Sequence, residues 1–330
     1  MSAASGSSAA RFPLLGALQP GTVQRHEVTL PGAALADERW PVISVSGAAP
    51  GPALFVNAGV HGGEYPAVES VIQLGQLLNP NELAGTVVLL PVLNLPAFRQ
   101  RSMYVCPVDN LNPNRQFPGS PSGSYSQQLV HALTEEFIAR ADYYIDLHGG
   151  DIVEDLAPFA ICRQGSDPVD QRALELARLF GLPYVLAVDS SFQSGSGTLS
   201  YNAGAARGVP SLIAEAGGLG LLRQGDVDLL VNGVLRVLAH LGMRAATVPA
   251  APAPSVLSEF RWIYSQHAGL FYPSVKIEDQ VSQGQVVGRI GSLFGDTLEE
   301  VTAPVDGPVL FVMVNPSVPA NGLLMGIGVS

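Results

Sequence analysis

The sequence predicts an α/β protein: a mixed, mostly parallel sheet with helices on both faces, followed by a small all-β, barrel-sandwich-like domain. Three observations carry this expectation. Between about residues 53 and 243, apolar runs alternate with helical patterns, as strands joined by crossover helices do. The apolar runs are continuous, which suits strands covered on both faces. After a Pro/Ala segment the pattern changes to short β-type runs set between Gly, Pro and Asn turns.

The elements follow in order. Residues 1–20 are small, polar and marked by Pro and Gly, and read as a loose leader. Residues 21–246 read as the catalytic domain. Ala53 to Ala58 is an expected buried strand, and Tyr65 to Leu78 an expected helix with Ala67, Val71, Leu74 and Leu78 on one face. Thr86 to Asn94 reads as a second buried strand. Gln127 to Ala141 reads as a helix, with Leu129, Leu133 and Phe137 four residues apart. Tyr143 to Leu147 reads as a strand, and Gln171 to Phe180 as a helix stopped by Gly181 and Pro183. Tyr184 to Val188 and Ser211 to Ala214 are further strands, and Asp226 to Leu241 is a helix ended by Gly242. Residues 247–255, rich in Pro and Ala, read as a semi-rigid linker. Residues 256–330 form the β domain, with runs at Trp262 to Tyr264, Val286 to Ile290 and Val309 to Val314.

Composition narrows the function. Of 330 residues, 47% are apolar and 14% charged, enough for a large core and too apolar for a disordered chain. The formal charge is −11, and Lys276 is the single lysine. Such a chain lacks the basic surface that grips phosphate backbones or anionic membranes, so neither nucleic acid nor a membrane is an expected partner. The 2 cysteines, Cys106 and Cys162, are too few for a disulfide framework or a cysteine-only zinc site. The N-terminus lacks the charged start and long apolar run of a signal peptide, and no run of about 18 apolar residues exists. A cytoplasmic location is expected.

Four short segments could carry chemistry. His61-Gly62-Gly63-Glu64 follows an expected strand and precedes a helix, where open α/β sheets place their ligand crevice. His61 and Glu64 can point at one ion there; the pattern alone equally suits a locally hydrogen-bonded histidine and a glutamate in a first helical turn. Asp146-Leu147-His148-Gly149-Gly150 is another strand end. His148 would complete a set of two histidines and one carboxylate, the donor set of catalytic zinc with an open fourth position. Asp146 is placed to orient an imidazole. Arg101, and then Asn114-Arg115 within Asn112 to Gly119, offer guanidinium and amide donors suited to a substrate carboxylate; Arg99 reads as a surface salt bridge. Glu215, between Ser211 to Ala214 and Gly217-Gly218, is a strand-end carboxylate suited to a general base.

In this order, the four segments resemble the succinylglutamate desuccinylase/aspartoacylase branch of the zinc carboxypeptidase superfamily, over roughly residues 40 to 330. The resemblance implies one zinc ion held by His61, Glu64 and His148. It implies Arg101 polarising the scissile carbonyl, Asn114 and Arg115 holding a substrate carboxylate, and Glu215 as general base and acid. The family's Asp-Leu-Asn-Arg is here Asn112-Pro113-Asn114-Arg115, so Asn114 is carried over on Asn-Arg alone. The implied activity is zinc-dependent hydrolysis of a small N-acyl amino acid or related amine. A carboxypeptidase using the same site and a non-catalytic binding protein on the same fold are the alternatives.

The β domain invites one rival reading. Asp279 to Ile290 and Ala303 to Gly307 look like a lipoyl- or biotinyl-carrier sandwich, but no lysine lies between Ile290 and Ala303 to take the group. The domain is expected to be an unmodified appendage that narrows the cleft mouth or makes a subunit contact, which leaves a homo-oligomer open. His26, His131, His240 and His267 are expected to be structural or superficial.

Overall fold

The computed structural model describes residues 11–189 and 198–330. The chain begins with Thr22–Val28 (β1), Trp40–Ser46 (β2), Ala49–Asn57 (β3), Tyr65–Leu77 (α1), Ala84–Leu90 (β4), Leu95–Gln100 (α2) and Tyr125–Glu136 (α3). It continues through Tyr143–His148 (β5), Glu154–Leu156 (β6), Phe159–Arg163 (β7), Pro168–Phe180 (α4), Tyr184–Val188 (β8), Ser200–Ala206 (α5), Ser211–Glu215 (β9), Gln224–His240 (α6) and Ser255–Leu257 (β10). One nine-stranded sheet has the order β1-β2-β4-β3-β5-β9-β7-β8-β10. Its centre, β4-β3-β5-β9, is parallel, and β7 enters antiparallel beside β9. The mixed, mostly parallel sheet is thus present. Helices α1, α4 and α6 pack into one layer, and α5 lies on β5 and β9.

The remaining strands are Glu259–Tyr264 (β11), Gly269–Pro273 (β12), Gln280–Val281 (β13), Val286–Gly291 (β14), Thr297–Thr302 (β15), Gly307–Met313 (β16), Ser317–Val318 (β17) and Leu323–Val329 (β18). They form two antiparallel sheets, β11-β18-β16-β13 and β15-β14-β12-β17. Each part of the chain lends a strand to the other. β10 pairs in parallel with β8, and β6 pairs antiparallel with β16.

Several element ends differ from the sequence reading for local reasons. The run ending at Asn94 stops as a strand at Leu90, because Pro91 removes a ladder donor. Asn94 instead caps α2, its side chain accepting from Ala97 N. α3 starts two residues early because Ser124 and Gln127 form a capping box, and it breaks at Phe137 into a short 3-10 turn. α4 starts at Pro168 because Asp167 caps it. Of the leader expected at 1–20, residues 1–10 lie outside the described residues. Beyond them the chain is tied down: Phe12 is buried, with its ring 6.3 Å from that of Phe137. Cys106 and Cys162 are free and buried. Arg99 makes the surface pair with Glu38 at 2.8 Å. The tip between β14 and β15 carries exposed Leu293 and Phe294 and no lysine, which removes the carrier reading.

The main core lies between the sheet and its helices. Phe55 sits inside it, stacked 5.1 Å from Phe137 and 5.5 Å from Tyr144 by ring centroids. Truncating so enclosed a ring loses transfer energy and leaves a cavity. Phe55→Ala should cost about 3–5 kcal/mol in denaturant unfolding. A loss below about 1 kcal/mol would mean that this stack does not support the sheet.

Candidate active site

Three strand ends build the site. β3, β5 and β9 are parallel neighbours, so their C-terminal ends open on the same edge, where open α/β sheets bind ligands. The register sets Asn57 beside Asp146 and His148 beside Glu215. His61 and Glu64 follow β3 on a tight turn. A side chain on Gly62 would meet the backbone, its Cβ 2.2 Å from Ala97 C, so only glycine fits that approach. Glu64 immediately precedes α1, whose N-terminus favours a negative charge.

Here the two imidazoles converge on one carboxylate. His61 Nδ1 is 2.6 Å from Glu64 Oε1, and His148 Nδ1 is 2.9 Å from Glu64 Oε2. The donor atoms of His61, Glu64 and His148 all lie within 4.8 Å of one another, and the three residues are buried. The other ring nitrogens face orienting oxygens. His61 Nε2 is 3.0 Å from Asn112 Oδ1, and His148 Nε2 is 3.0 Å from Asp146 Oδ2. Asp146 is itself fixed, accepting from Asn57 Nδ2 at 2.8 Å and from Ser200 Oγ at 2.5 Å. Two of these buried atoms lack an aligned hydrogen bond despite their close neighbours: Glu64 Oε2 and His148 Nε2. A buried carboxylate oxygen without a donor is costly. A dication between Glu64 and the two Nδ1 atoms would satisfy it, and the Nε2–carboxylate contact of His148 is the usual support for a ligating imidazole. The donor set fits zinc.

The charges agree. Burial alone would raise the Glu64 carboxyl, but the imidazoles of His148 and His61 outweigh it and hold it down to about 2. Burial opposes charge on His148, yet Asp146 and Glu64 carry its pKa well above the ordinary value. His61 is raised in the same way, against burial, chiefly by Glu64.

A cavity of about 110 Å³ opens on these groups. Its polar half includes His61, Glu64, Asn112, Asn114, Arg115 and Glu215. Burial pushes the Glu215 carboxyl well up, with His148 opposing. Asn114 is held by Ser200 N, which donates to its Oδ1 at 3.1 Å, and Arg115 donates to Asn114 O at 2.8 Å. Burial lowers the Arg115 pKa, partly offset by Glu215; a guanidinium so enclosed calls for an anion. Five of the seven expected site residues thus line one cavity, and His148 joins them through its 2.9 Å contact with Glu64. Arg101 is not among the lining residues. It ends α2 in a left-handed turn with φ 55° and is exposed. The loop that follows brings in Tyr104 instead. Its hydroxyl donates to Glu154 Oε1 at 2.5 Å, and its backbone N–H donates to Asp151 Oδ2 at 2.7 Å. Glu154 also accepts from Asp151 N at 2.9 Å, and burial pushes its pKa up to about 7 despite the Tyr104 bond.

The other half of the cavity is apolar. It includes Phe159 and Ile161 of β7, Leu186 of β8, Phe260 and Trp262 of β11, and Phe311 of β16. The sequence reading singled out neither this wall nor Tyr104 and Glu154. Glu154 stands four residues past Gly150, within reach of the same strand-end logic as Glu215; Tyr104 and the wall carry no local signal.

Residues 50–241 match the succinylglutamate desuccinylase/aspartoacylase catalytic domain. Over 245 residues the chain is 29% identical to an N-alpha-acetyl-L-2,4-diaminobutyric acid deacetylase of Halomonas elongata, covering 73% of this chain and 70% of that protein. Its fold is similar to the product-bound ectoine utilization protein EutE (DoeB) of Ruegeria pomeroyi, with TM-score 0.83, 22% identity and coverage of 93% and 95%. It is also similar to a succinylglutamate desuccinylase/aspartoacylase of Rhodobacter sphaeroides, with TM-score 0.81, 26% identity and coverage of 93% and 95%. The matched domain, with His61, Glu64, His148 and Glu215 at its strand ends, makes this chain a member of the succinylglutamate desuccinylase/aspartoacylase family of amide-hydrolysing enzymes.

Proposed function

We propose that this protein is a zinc-dependent deacylase that cleaves the amide of a small N-acyl amino acid, yielding a carboxylic acid and a free amine. The observation that carries this reading is the convergence of His61, Glu64 and His148 on one point beside Glu215. When bound there, zinc lowers the pKa of a coordinated water toward about 7 and polarises an acyl oxygen.

The chain's own residues supply the rest. Glu215 takes a proton from the attacking water and later returns it to the departing amine. Burial raises its pKa above the ordinary carboxylate range, the direction that suits a carboxyl which both accepts and returns a proton. Arg115 pairs with the substrate carboxylate, and Asn114 supports it from the same turn. Asp146 and Asn112 hold the two histidines in the tautomer that presents Nδ1. The buried free thiols Cys106 and Cys162 suit the cytoplasm.

Glu215→Gln should lower kcat by about 10²–10⁴-fold while the protein keeps its zinc and its circular dichroism spectrum. A kcat within threefold of the parent would remove Glu215 from the reaction. Arg115→Ala should act mainly on KM, by about tenfold or more, and an unchanged KM would place the substrate carboxylate elsewhere. Zinc competes with protons on His61 and His148, both raised above their ordinary values in the metal-free protein. Zinc affinity should therefore climb as pH rises through those values and fall on acidification. Titration of the dialysed protein with zinc at several pH values measures this, and a pH-independent affinity would exclude these imidazoles as ligands. Full activity after exhaustive chelation would overturn the metal-dependent reading.

A further inference from the structure

The cavity is divided. Its polar half holds the groups assigned above to chemistry and to a carboxylate. The opposite wall carries Phe159, Ile161, Leu186, Phe260, Trp262 and Phe311. Three of its rings form a chain: Trp262 lies 4.3 Å from Phe260 and 5.7 Å from Phe311, centroid to centroid. These residues come from β7, β8, β11 and β16, so the two parts of the protein close on this space together. Register adds a direct link to the reacting centre, because Phe159 pairs with Glu215 across β7 and β9. Arg115 lines the same cavity as this wall.

Resting on the deacylase reading, we propose that the wall receives an apolar side chain on the amino-acid half of the substrate, which is thus an N-acyl derivative of an aliphatic or aromatic amino acid. The chemistry of this wall favours an apolar side chain over a charged one, because it presents aromatic rings and alkyl groups. Glu154, the acid lining the cavity that has no part in the chemistry assigned above, has both carboxylate oxygens occupied, by the Tyr104 hydroxyl and by Asp151 N. An ammonium in this half would trade water for ring faces and a carboxyl already bonded twice, whereas an alkyl group loses only its water. The side chain belongs to the amino-acid half because Arg115, the anchor for a carboxylate, faces the same space.

The test is a panel assayed on the zinc-loaded protein. N-acetyl-L-leucine and N-acetyl-L-phenylalanine represent the proposal. N-acetyl-L-aspartate and N-acetyl-L-2,4-diaminobutyrate carry charged side chains, N-hexanoylglycine moves the apolar group to the acyl half, and N-acetylglycine has no side chain. The expected kcat/KM for N-acetyl-L-leucine exceeds those for both charged substrates, and for N-hexanoylglycine, at least tenfold. Trp262→Ala and Ile161→Ala should each lower the ratio of leucine to glycine substrate about tenfold. Preference for either charged substrate overturns the apolar wall and leaves the deacylase reading standing. Preference for N-hexanoylglycine overturns the placement on the amino-acid half. Hydrolysis of none of the panel overturns both readings. L-leucine binding measured by calorimetry gives a readout independent of turnover, and binding weaker than that of L-2,4-diaminobutyrate counts against the proposal.

Discussion

One buried carboxylate organises this protein. Glu64 stands at the start of α1 with an imidazole against each oxygen, and it is held ionised by them against the cost of burial. That arrangement needs His61 to turn back over two glycines and His148 to arrive from a different strand. The parallel neighbours β3 and β5 make the meeting unavoidable, because their ends lie side by side. The same edge then brings Glu215 in from β9, level with His148. His148 and Glu215 are thus held by the ladder of the sheet, while His61 and Glu64 depend on the glycine turn that follows β3.

Support extends outward from that point. Asp146 orients His148 and is fixed by Asn57 and Ser200. Ser200 N also holds Asn114, whose backbone oxygen holds Arg115. A single short helix, α5, therefore ties the histidine side of the cavity to the side that carries Asn114 and Arg115. Pre-organisation of this kind lowers the reorganisation needed during reaction. The exchange of strands between the two parts of the chain serves the other wall. β6 on β16 carries the region around Leu156 to Phe159 against Phe311, so the apolar half of the cavity exists only where the parts meet.

Much of the scaffold was legible because it repeats a period. Continuous apolar runs marked β3, β5, β8 and β9, and helical spacing marked α1, α4 and α6, all within a few residues of their ends. The errors fell where capping chemistry overrides hydrophobic pattern, at Asn94, Ser124 and Asp167. The antiparallel entry of β7 and the lending of β6 and β10 were invisible, since pairing partners far apart in sequence leave no local mark. For the same reason the expected break at 247–255 did not foretell that residue 255 opens a strand of the main sheet.

The sequence by itself determined the chemical vocabulary: two histidines, two glutamates and an Asn-Arg pair, each at the end of an apolar run or on a turn where backbone strain and glycine leave side chains free to face a ligand. Tertiary structure alone decided which guanidinium and which hydroxyl share that space. Arg101 and Tyr104 are three residues apart, and a left-handed turn leaves one exposed while the other reaches Glu154. It also decided the apolar wall, whose members come from four strands between Phe159 and Phe311. Local pattern records which face of a strand is buried, but not which distant strand covers it, and that is the physical reason substrate shape lay beyond the sequence.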